Sequence, residues 1–382
     1  MTQAAEGRGA GEFQDAVQRI IQTAVQRGAS DLHIKAGDVF RARINGALVP
    51  FTKQRLTPEQ TRAIALQLIP HDRDRARIDE LNDYDCSWGI PGVGRFRVNI
   101  LRQRGSFMIV MRVIPFEIPT FEALGLPPVL ADIASQERGL ILVTGVTGSG
   151  KSSTQAAMLG YMNQNMRRHI VTLENPIEFL HRDANCSITQ RDVGIDTDSF
   201  RVGLRAALRQ DPDVILIGEM RDTESIDIAL KSAETGHLVI STVHTRDAAS
   251  TISRLVATFP PEEQAVVRLR LAESLQAVVS QRLLPRKDGK GRVLAAEVMV
   301  VTGTIRDCIA DPARAEEVRE HIAEGRTTYG MQTFDQCLME LVQAESVDFA
   351  VAKAAATNPG DFELKLNMLA GRAAGGGSTG YF

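Results

Sequence analysis

The chain has 382 residues, 43% of them hydrophobic, and a formal net charge of -3. This composition predicts a soluble globular protein, and the length favours two domains over one. The near-balanced charge gives no sign of nucleic-acid binding, and no apolar run approaches the roughly 18 to 20 residues that span a bilayer. The first residues, MTQAAEGRGAGEF, also lack the pattern of a secretion signal. We therefore expect a cytoplasmic protein without a transmembrane segment and without a nucleic-acid partner.

Four cysteines are widely separated along the chain: Cys86, Cys186, Cys308 and Cys337. No C-x-x-C pair suggests a zinc site or a redox dithiol. The sequence therefore predicts structural thiols.

The first 113 residues predict a small α+β domain. Apolar residues recur at helical spacing from Phe13 to Val25, and Asn45-Gly46 between alternating residues is a hairpin signal. A helix is expected to start after Thr57, because Pro58 and Gln60 complete a capping pattern. The segment GRFRVNILRQRGSFMIVMRVI then gives two further strands.

A proline-rich stretch, residues 114–124, is predicted to be a linker to a second domain at 125–365. In that domain the apolar runs GLILVTG, HIVTLE, DVILIGE and HLVIST alternate with helical stretches, which is typical of an α/β domain with a largely parallel sheet. After about residue 246 the chain is expected to be mostly helical, and residues 366–382 are predicted to form a flexible tail.

A complete phosphate-loop motif, G-x-x-x-x-G-K-S, spans residues 145–152 as GVTGSGKS. A strand-like run precedes it and a helical stretch follows it, so both structural requirements of the motif are met. Glycines let the backbone wrap around phosphates, Lys151 reaches the β- and γ-phosphates, and Ser152 ligates Mg²⁺. We predict ATP and Mg²⁺ as cofactors, bound by Gly145, Thr147, Gly148, Ser149, Gly150, Lys151, Ser152 and Ser153.

Such a loop needs a second acidic group for magnesium and a group that orients the attacking water. The buried strand in PDVILIGEMRD ends at Glu219, which has the form of a Walker B element with glutamate in the usual aspartate position. We predict that Glu219 holds Mg²⁺ through water. For the attacking water, a carboxylate at a strand end can accept a proton, and Glu174 and Glu178 in TLENPIEF both qualify. The residues alone do not choose between them.

Two histidines, His237 and His244, bracket the strand LVISTV. A histidine at a strand end beside a nucleotide can sense the γ-phosphate, although a lone histidine is more often a structural hydrogen-bonding group.

The four segments GVTGSGKS, TLENPIEF, DPDVILIGEMRD and AETGHLVISTVHT, in this order, resemble the motifs of the secretion ATPase superfamily. The resemblance covers roughly residues 13 to 365, and it is strongest to the type IV pilus retraction ATPases of the PilT group, with the PilU group close behind. It implies a PAS-like N-terminal domain, a RecA-like motor domain and a homo-hexameric ring with ATP between the two domains. It also implies that hydrolysis drives pilus retraction and twitching motility against the inner-membrane platform protein PilC, with a PilT/PilU paralogue as a further partner.

The same resemblance implies roles for individual residues. Glu178 matches the catalytic glutamate of the acidic segment, and Glu219 matches the Walker B glutamate. Arg97 and Arg112 match arginines of the N-terminal domain that approach the nucleotide phosphates, a task that suits an always-charged guanidinium. His237 and His244 match the histidine segment, with His244 assigned to catalysis and His237 to nucleotide binding.

Two positions depart from the family pattern. Asn175 replaces the aspartate of E-D-P-I-E, and in TGTIRDCIAD the residues Ala310 and Asp311 replace the final Arg-Glu of A-I-R-N-L-I-R-E. The alternatives are therefore a PilU-like accessory motor, a pilus-assembly or type II secretion ATPase, and a weakly hydrolysing nucleotide-binding scaffold. The absence of a four-cysteine zinc module argues against the assembly and type II secretion motors.

Overall fold

The computed structural model describes residues 2–115 and 117–375, with side chains described for 13–115 and 117–368. These residues divide into two compact units. The first unit comprises Met1–Glu117, Glu174–His181 and Gln190–Ser199. The second comprises Ile118–Leu173, Arg182–Thr189 and Phe200–Phe382.

The chain up to residue 115 forms a six-stranded antiparallel sheet with strand order β3-β2-β1-β6-β5-β4. Its helices and strands, with a 3₁₀ helix at Ile78–Glu80 between α3 and β4, are α1 (Thr2–Gln26), β1 (Ala29–Lys35), β2 (Arg41–Ile44), β3 (Ala47–Pro50), α2 (Pro58–Leu68), α3 (Asp72–Ala76), β4 (Asp83–Ile90), β5 (Gly94–Gln103) and β6 (Ser106–Ile114).

Two local signals of the first unit are confirmed. Asn45 and Gly46 have φ values of 50° and 81° and join β2 to β3, as a two-residue hairpin turn with positive φ at both positions requires. Thr57 and Gln60 form a complete capping box at the start of α2. The core of this unit forms where Val17 of α1 and the apolar face of α2 pack against the sheet.

Beyond residue 117 the chain forms a seven-stranded sheet with order β13-β12-β7-β11-β10-β8-β9. Its elements, with a 3₁₀ helix at Pro312–Glu317 between α11 and α12, are α4 (Phe121–Leu124), α5 (Val129–Ala134), β7 (Gly139–Thr144), α6 (Lys151–Asn165), β8 (His169–Glu174), β9 (Ser187–Asp192), α7 (Phe200–Ala207), β10 (Val214–Ile217), α8 (Thr223–Glu234), β11 (Leu238–Val243), α9 (Ala248–Ala257), α10 (Pro261–Ser274), β12 (Leu275–Pro285), β13 (Arg292–Val300), α11 (Gly303–Ala310), α12 (Val318–Glu324), α13 (Arg326–Tyr329), α14 (Phe334–Gln343), α15 (Phe349–Ala355) and α16 (Pro359–Gly375).

The four predicted strands of this sheet, β7, β8, β10 and β11, are confirmed and pair in parallel. Every residue of β7, β10 and β11 is buried, which is why their sequences are continuous apolar runs rather than alternating ones. β12 also pairs in parallel with β7, and β13 is antiparallel to β12. These last two strands lie in the stretch that was predicted to be mostly helical, and that prediction missed them.

The predicted linker, 114–124, contains the short helix α4 at its end. The predicted flexible tail, 366–382, overlaps α16 as far as Gly375, and residues 376–382 lie outside the described residues. In the part of the chain that is described, no helix is both long enough and apolar enough to cross a bilayer.

One buried carboxyl group connects β13 to the start of α9. Glu297 is 4% exposed, and its Oε1 accepts a hydrogen bond from the backbone N–H of Ala248 at 2.8 Å. Burial raises the pKa of Glu297 to about 7, while the Ala248 N–H and the charge of Arg282 act in the opposite direction. The folded state therefore keeps the proton of Glu297 up to a higher pH than the unfolded chain does, where a glutamate has a pKa of about 4.3.

This raised pKa predicts a pH-dependent loss of stability. Between about pH 4.3 and pH 7 the folded state holds more protons than the unfolded state, so the contribution of Glu297 to the free energy of unfolding falls as pH rises. Glu297→Gln keeps the acceptor for Ala248 but cannot ionise. We expect the free energy of unfolding of the variant, relative to that of the wild type, to increase by about 2 to 3 kcal/mol from pH 5 to pH 8. Denaturant unfolding of both proteins at both pH values measures this change. A difference that stays constant with pH would contradict the buried, proton-binding carboxyl group.

Candidate functional site

The phosphate loop follows β7 and leads directly into α6. Its glycines take the positive φ values that the motif needs: 140° at Gly145, 77° at Gly148 and 94° at Gly150. Lys151 is buried, and its Nζ donates hydrogen bonds of 3.1 Å to the carbonyl oxygens of Gly145 and Val146. The lysine ammonium group is thus held inside the loop, at the positive end of the 15-residue helix α6.

The loop fits the triphosphate group of a nucleotide. A Cβ atom at Gly145 would lie 2.4 Å from Ser149 Oγ and 2.6 Å from the carbonyl oxygen of Gln281, so only glycine allows this close approach. Ser149 Oγ is buried without a hydrogen-bond partner among the described residues. Backbone N–H groups at a helix start, a buried lysine and an unpaired hydroxyl together match the donors that phosphate oxygens require.

Glu219 lies at the same edge of the sheet as the phosphate loop. The strands β7, β11 and β10 are parallel neighbours, so the residues that follow them meet at their carboxyl ends. With about 4.8 Å between adjacent strands, β10 lies about 10 Å from β7. Glu219, two residues after β10, therefore lies at the same carboxyl edge as the phosphate loop that follows β7.

His244 follows β11 directly and approaches Glu219, with 3.6 Å between His244 Nε2 and Glu219 Oε2. On the other carboxylate oxygen, Arg221 lies 2.7 Å from Glu219 Oε1. The backbone of Met220 donates to the carbonyl of Thr242 at 3.1 Å, which fixes the segment after β10 against the end of β11. Two of the predicted site residues, Glu219 and His244, are therefore brought together.

His237 is not brought to this edge. It precedes β11, and its carbonyl accepts from the N–H of Gly139 at the start of β7. Its ring Nδ1 lies 3.0 Å from the carbonyl oxygen of Ser232, at the end of α8. Six strand residues separate it from His244, which corresponds to about 20 Å along the sheet. Within this unit, His237 occupies a structural position remote from the phosphate loop.

Arg97 and Arg112 belong to the first unit and face each other across β5 and β6. Both side chains are exposed, on the same face of the sheet. On its other side Arg112 meets β1, where its Nε lies 2.9 Å from Oδ1 of the buried Asp31. Like charges directly opposite each other destabilise a sheet, so Asp31 offsets part of the repulsion between the two arginines.

The acidic segment also groups with the first unit, and its two glutamates have different surroundings. Glu174 is half-buried and accepts from Gln190 Nε2 at 3.2 Å, while the N–H of Glu178 approaches its other oxygen at 3.5 Å. Glu178 itself is exposed, beyond the cis peptide bond between Asn175 and Pro176. Asn175 is exposed as well.

Sequence reasoning missed three residues around these groups. Arg221 lies two positions after Glu219, so its basic side chain next to a Walker B carboxylate was a visible signal. Gln190 contacts Glu174, and Gln281 donates to Thr154 Oγ1 of α6 at 2.6 Å. No pattern of neighbouring residues predicts these two glutamine contacts, because each glutamine bonds a residue that is distant in sequence.

A family model described as "Type II/IV secretion system protein" matches residues 6–360. The chain belongs to this family. Among its relatives, the Type IV pilus retractation ATPase PilT of Pseudomonas aeruginosa is 43% identical over 91% of this chain and 99% of its own length. The Type IV pilus ATPase PilU of the same organism is 40% identical over 92% of this chain and 91% of its own length. The chain thus lies in the PilT/PilU branch, and these two values do not separate PilT from PilU.

A solved structure of the secretion family, described as the pilus retraction motor PilT with bound ADP, superimposes with a TM-score of 0.81. It is 43% identical and covers 90% of this chain and 98% of its own. The predicted fold class, a RecA-like α/β domain with a smaller PAS-like α+β domain, is confirmed. The predicted class of enzyme, a P-loop ATPase, is confirmed as that of the family.

The close packing at Gly145 generates a prediction for this secretion ATPase. Gly145→Ala places a Cβ within 2.6 Å of Ser149 Oγ and the Gln281 carbonyl, so the loop must shift. We expect the affinity for a fluorescent ATP analogue to fall by at least about tenfold, or about 1.4 kcal/mol. The control is Gly303→Ala, where a Cβ meets nothing within 4 Å. Unchanged affinity in Gly145→Ala would contradict this geometry.

Proposed function

We propose that this chain is a retraction motor of type IV pili that binds ATP with Mg²⁺ and uses its hydrolysis to return pilin subunits to the inner membrane. The observation that carries the proposal is the meeting of the phosphate loop, Glu219 and His244 at one sheet edge, in a chain 43% identical to PilT over nearly its whole length. The same likeness supports a cytoplasmic homo-hexamer that works against the platform protein PilC.

In the proposed reaction, each group at the sheet edge has one task. Lys151 and the N–H groups at the start of α6 bind the phosphates, and Ser152 holds Mg²⁺ with Glu219 acting through water. His244, 3.6 Å from Glu219, reads the γ-phosphate. A bound Mg²⁺ ion would neutralise part of the negative charge of the phosphates.

Glu178 is proposed as the group that polarises the attacking water. Its exposed carboxylate is available to solvent, whereas Glu174 is half-buried and accepts hydrogen bonds from Gln190 and from the backbone of Glu178. A catalytic base must be able to reach a water molecule, which favours Glu178. Glu174 then has a supporting role, fixing the segment that carries Glu178.

Arg97 and Arg112 are proposed to stabilise charge on the phosphates. Two exposed guanidinium groups at facing positions of β5 and β6 repel each other when no anion is bound, and this repulsion lowers stability. A bound phosphate would offset the repulsion, which supports a role in anion binding. Ion pairing of Arg112 with Asp31 sets the orientation of one of them before the nucleotide is engaged.

A PilU-like accessory role is the second candidate, because the chain is also 40% identical to PilU. The two residues at the end of α11 that depart from the family pattern, Ala310 and Asp311, do not discriminate between the PilT-like and PilU-like roles. Asp311 has a local structural role, since its Oδ1 accepts from the N–H of Ala313 and caps the following 3₁₀ helix. Ala310 packs against the core of the second unit.

Steady-state hydrolysis by the purified full chain tests the catalytic assignment. Glu178→Gln should lower kcat by about 10² to 10⁴-fold with nucleotide affinity unchanged, since the phosphates are bound elsewhere. Glu174→Gln is the matched control and should stay within about tenfold of the wild type, because glutamine can retain a hydrogen bond to Gln190. Lys151→Ala should lose nucleotide binding. A wild-type rate no higher than those of Glu178→Gln and Lys151→Ala would refute the enzyme and favour a scaffold.

Deletion in the native host tests the direction of movement. We expect hyperpiliated cells that have lost twitching, because pili would still assemble but would no longer be withdrawn. Bald cells would instead identify an assembly motor. Supplying this chain to a strain that lacks both its PilT and PilU relatives separates the remaining roles: restored twitching supports a PilT-like motor, and restoration only together with a PilT supports a PilU-like one.

A further inference from the structure

Three side chains of different chemistry converge between α11 and α12, away from the sheet edge described above. Cys308 is fully buried on α11, Glu317 ends the 3₁₀ helix, and His321 lies four residues later on α12. Glu317 Oε2 lies 3.8 Å from Cys308 Sγ and 3.9 Å from His321 Nε2. All three donor atoms lie within 4.8 Å of one another.

His321 is oriented towards this point by its second ring nitrogen. Nδ1 lies 3.4 Å from Glu324 Oε2, in the arrangement by which a carboxylate fixes a metal-binding imidazole. Nε2 is buried and has no hydrogen-bond partner among the residues that the structure describes. A buried, unsatisfied nitrogen costs free energy, and it is aimed at a thiol and a carboxylate.

We propose that Cys308, Glu317 and His321 bind a Zn²⁺ ion, with water at the fourth position. A thiolate, an imidazole and a carboxylate form a mixed ligand set that suits zinc better than magnesium or calcium, which prefer oxygen ligands. Donor atoms of a tetrahedral zinc site lie roughly 3.3 to 3.7 Å apart. The two separations from Glu317 Oε2, 3.8 Å to Cys308 Sγ and 3.9 Å to His321 Nε2, exceed those values by only a few tenths of an ångström.

The three ligands have charged neighbours of both signs. Arg314 donates two hydrogen bonds to Glu317 Oε2, of 3.0 and 2.8 Å, but a carboxylate offers about four lone-pair sites and can share them. Glu324 and Asp307 add negative charge nearby. Zinc binds the thiolate form of a cysteine side chain. On binding, the S–H bond breaks, the sulfur–zinc bond forms and the proton passes to solvent.

Such an ion would connect α11 to α12 through ligands from three successive elements. α11 carries the segment that aligns with the family's A-I-R-N-L-I-R-E pattern, and Cys308 lies within it. No motif in the sequence predicts this site, because Cys308 has no C-x-x-C partner. The zinc site does not depend on the proposed retraction function.

Cobalt binding to the metal-free full chain tests the proposal, because Co²⁺ occupies zinc sites and its thiolate complexes have a charge-transfer band. We expect one Co²⁺ per chain with this band, displaced by Zn²⁺. His321→Gln, a half-buried position that should not disturb folding, should weaken Zn²⁺ binding at least about 100-fold in a chelator competition. Glu324→Gln should weaken it about 10 to 100-fold. Cys308→Ser should abolish the band, whereas Cys337→Ser, the matched control on α14, should keep it.

Thermal unfolding supplies a readout that does not rely on colour. Zn²⁺ should raise the Tm of the wild type and of Cys337→Ser, since a ligand that binds only the folded state stabilises it, but not the Tm of His321→Gln. Absence of a thiolate band in the wild type, or a band lost in Cys337→Ser and retained in Cys308→Ser, would overturn the proposal. Equal Zn²⁺ affinity in the wild type and His321→Gln would do the same.

Discussion

The parallel register of β7, β11 and β10 is the constraint on which the candidate site depends. It directs the carboxyl ends of three buried strands to one edge, so that the phosphate loop, His244 and Glu219 follow neighbouring strands and lie close together. A backbone hydrogen bond from Met220 to Thr242 then holds the segment beyond β10 against the end of β11. The chemistry of this unit is therefore a consequence of sheet order, and the helix dipole of α6 acts where the strands end.

In the first unit, the pairing of antiparallel strands brings two positive charges together. Its antiparallel sheet places Arg97 and Arg112 side by side on an exposed face, at a cost in repulsion that Asp31 partly offsets. The acidic segment that groups with this unit has one glutamate committed to hydrogen bonds and one exposed. Each unit thus carries part of the proposed functional set: the proposed phosphate and metal ligands lie in the second unit, and the two arginines and the proposed base lie in the first.

Local signals made much of this fold and site predictable. The Asn45-Gly46 turn, the Thr57 capping box and the phosphate loop each depend on residues within a few positions, and the structure has all three elements. The strands β12 and β13 were missed because a strand buried on both faces has no alternation to separate it from a buried helix. His237 and His244 bracket one strand and therefore lie at opposite edges of the sheet, and the predicted role of His237 in nucleotide binding stays a prediction. Gln190, Gln281 and the Cys308 cluster depend on contacts between distant segments, which spacing alone does not encode.

The most direct test of the sheet-edge account compares the two histidines by ATP hydrolysis in the purified full chain. His244→Ala should lower kcat by at least about tenfold, because it removes the ring that faces Glu219 at the phosphate edge. His237→Ala, at the other end of the same strand, should leave kcat within about twofold of the wild type. Nucleotide affinity and Tm, measured for both variants, distinguish a catalytic effect from loss of folding. A large loss of kcat in His237→Ala, with His244→Ala unaffected, would contradict the assignment of the site to the carboxyl edge of the sheet.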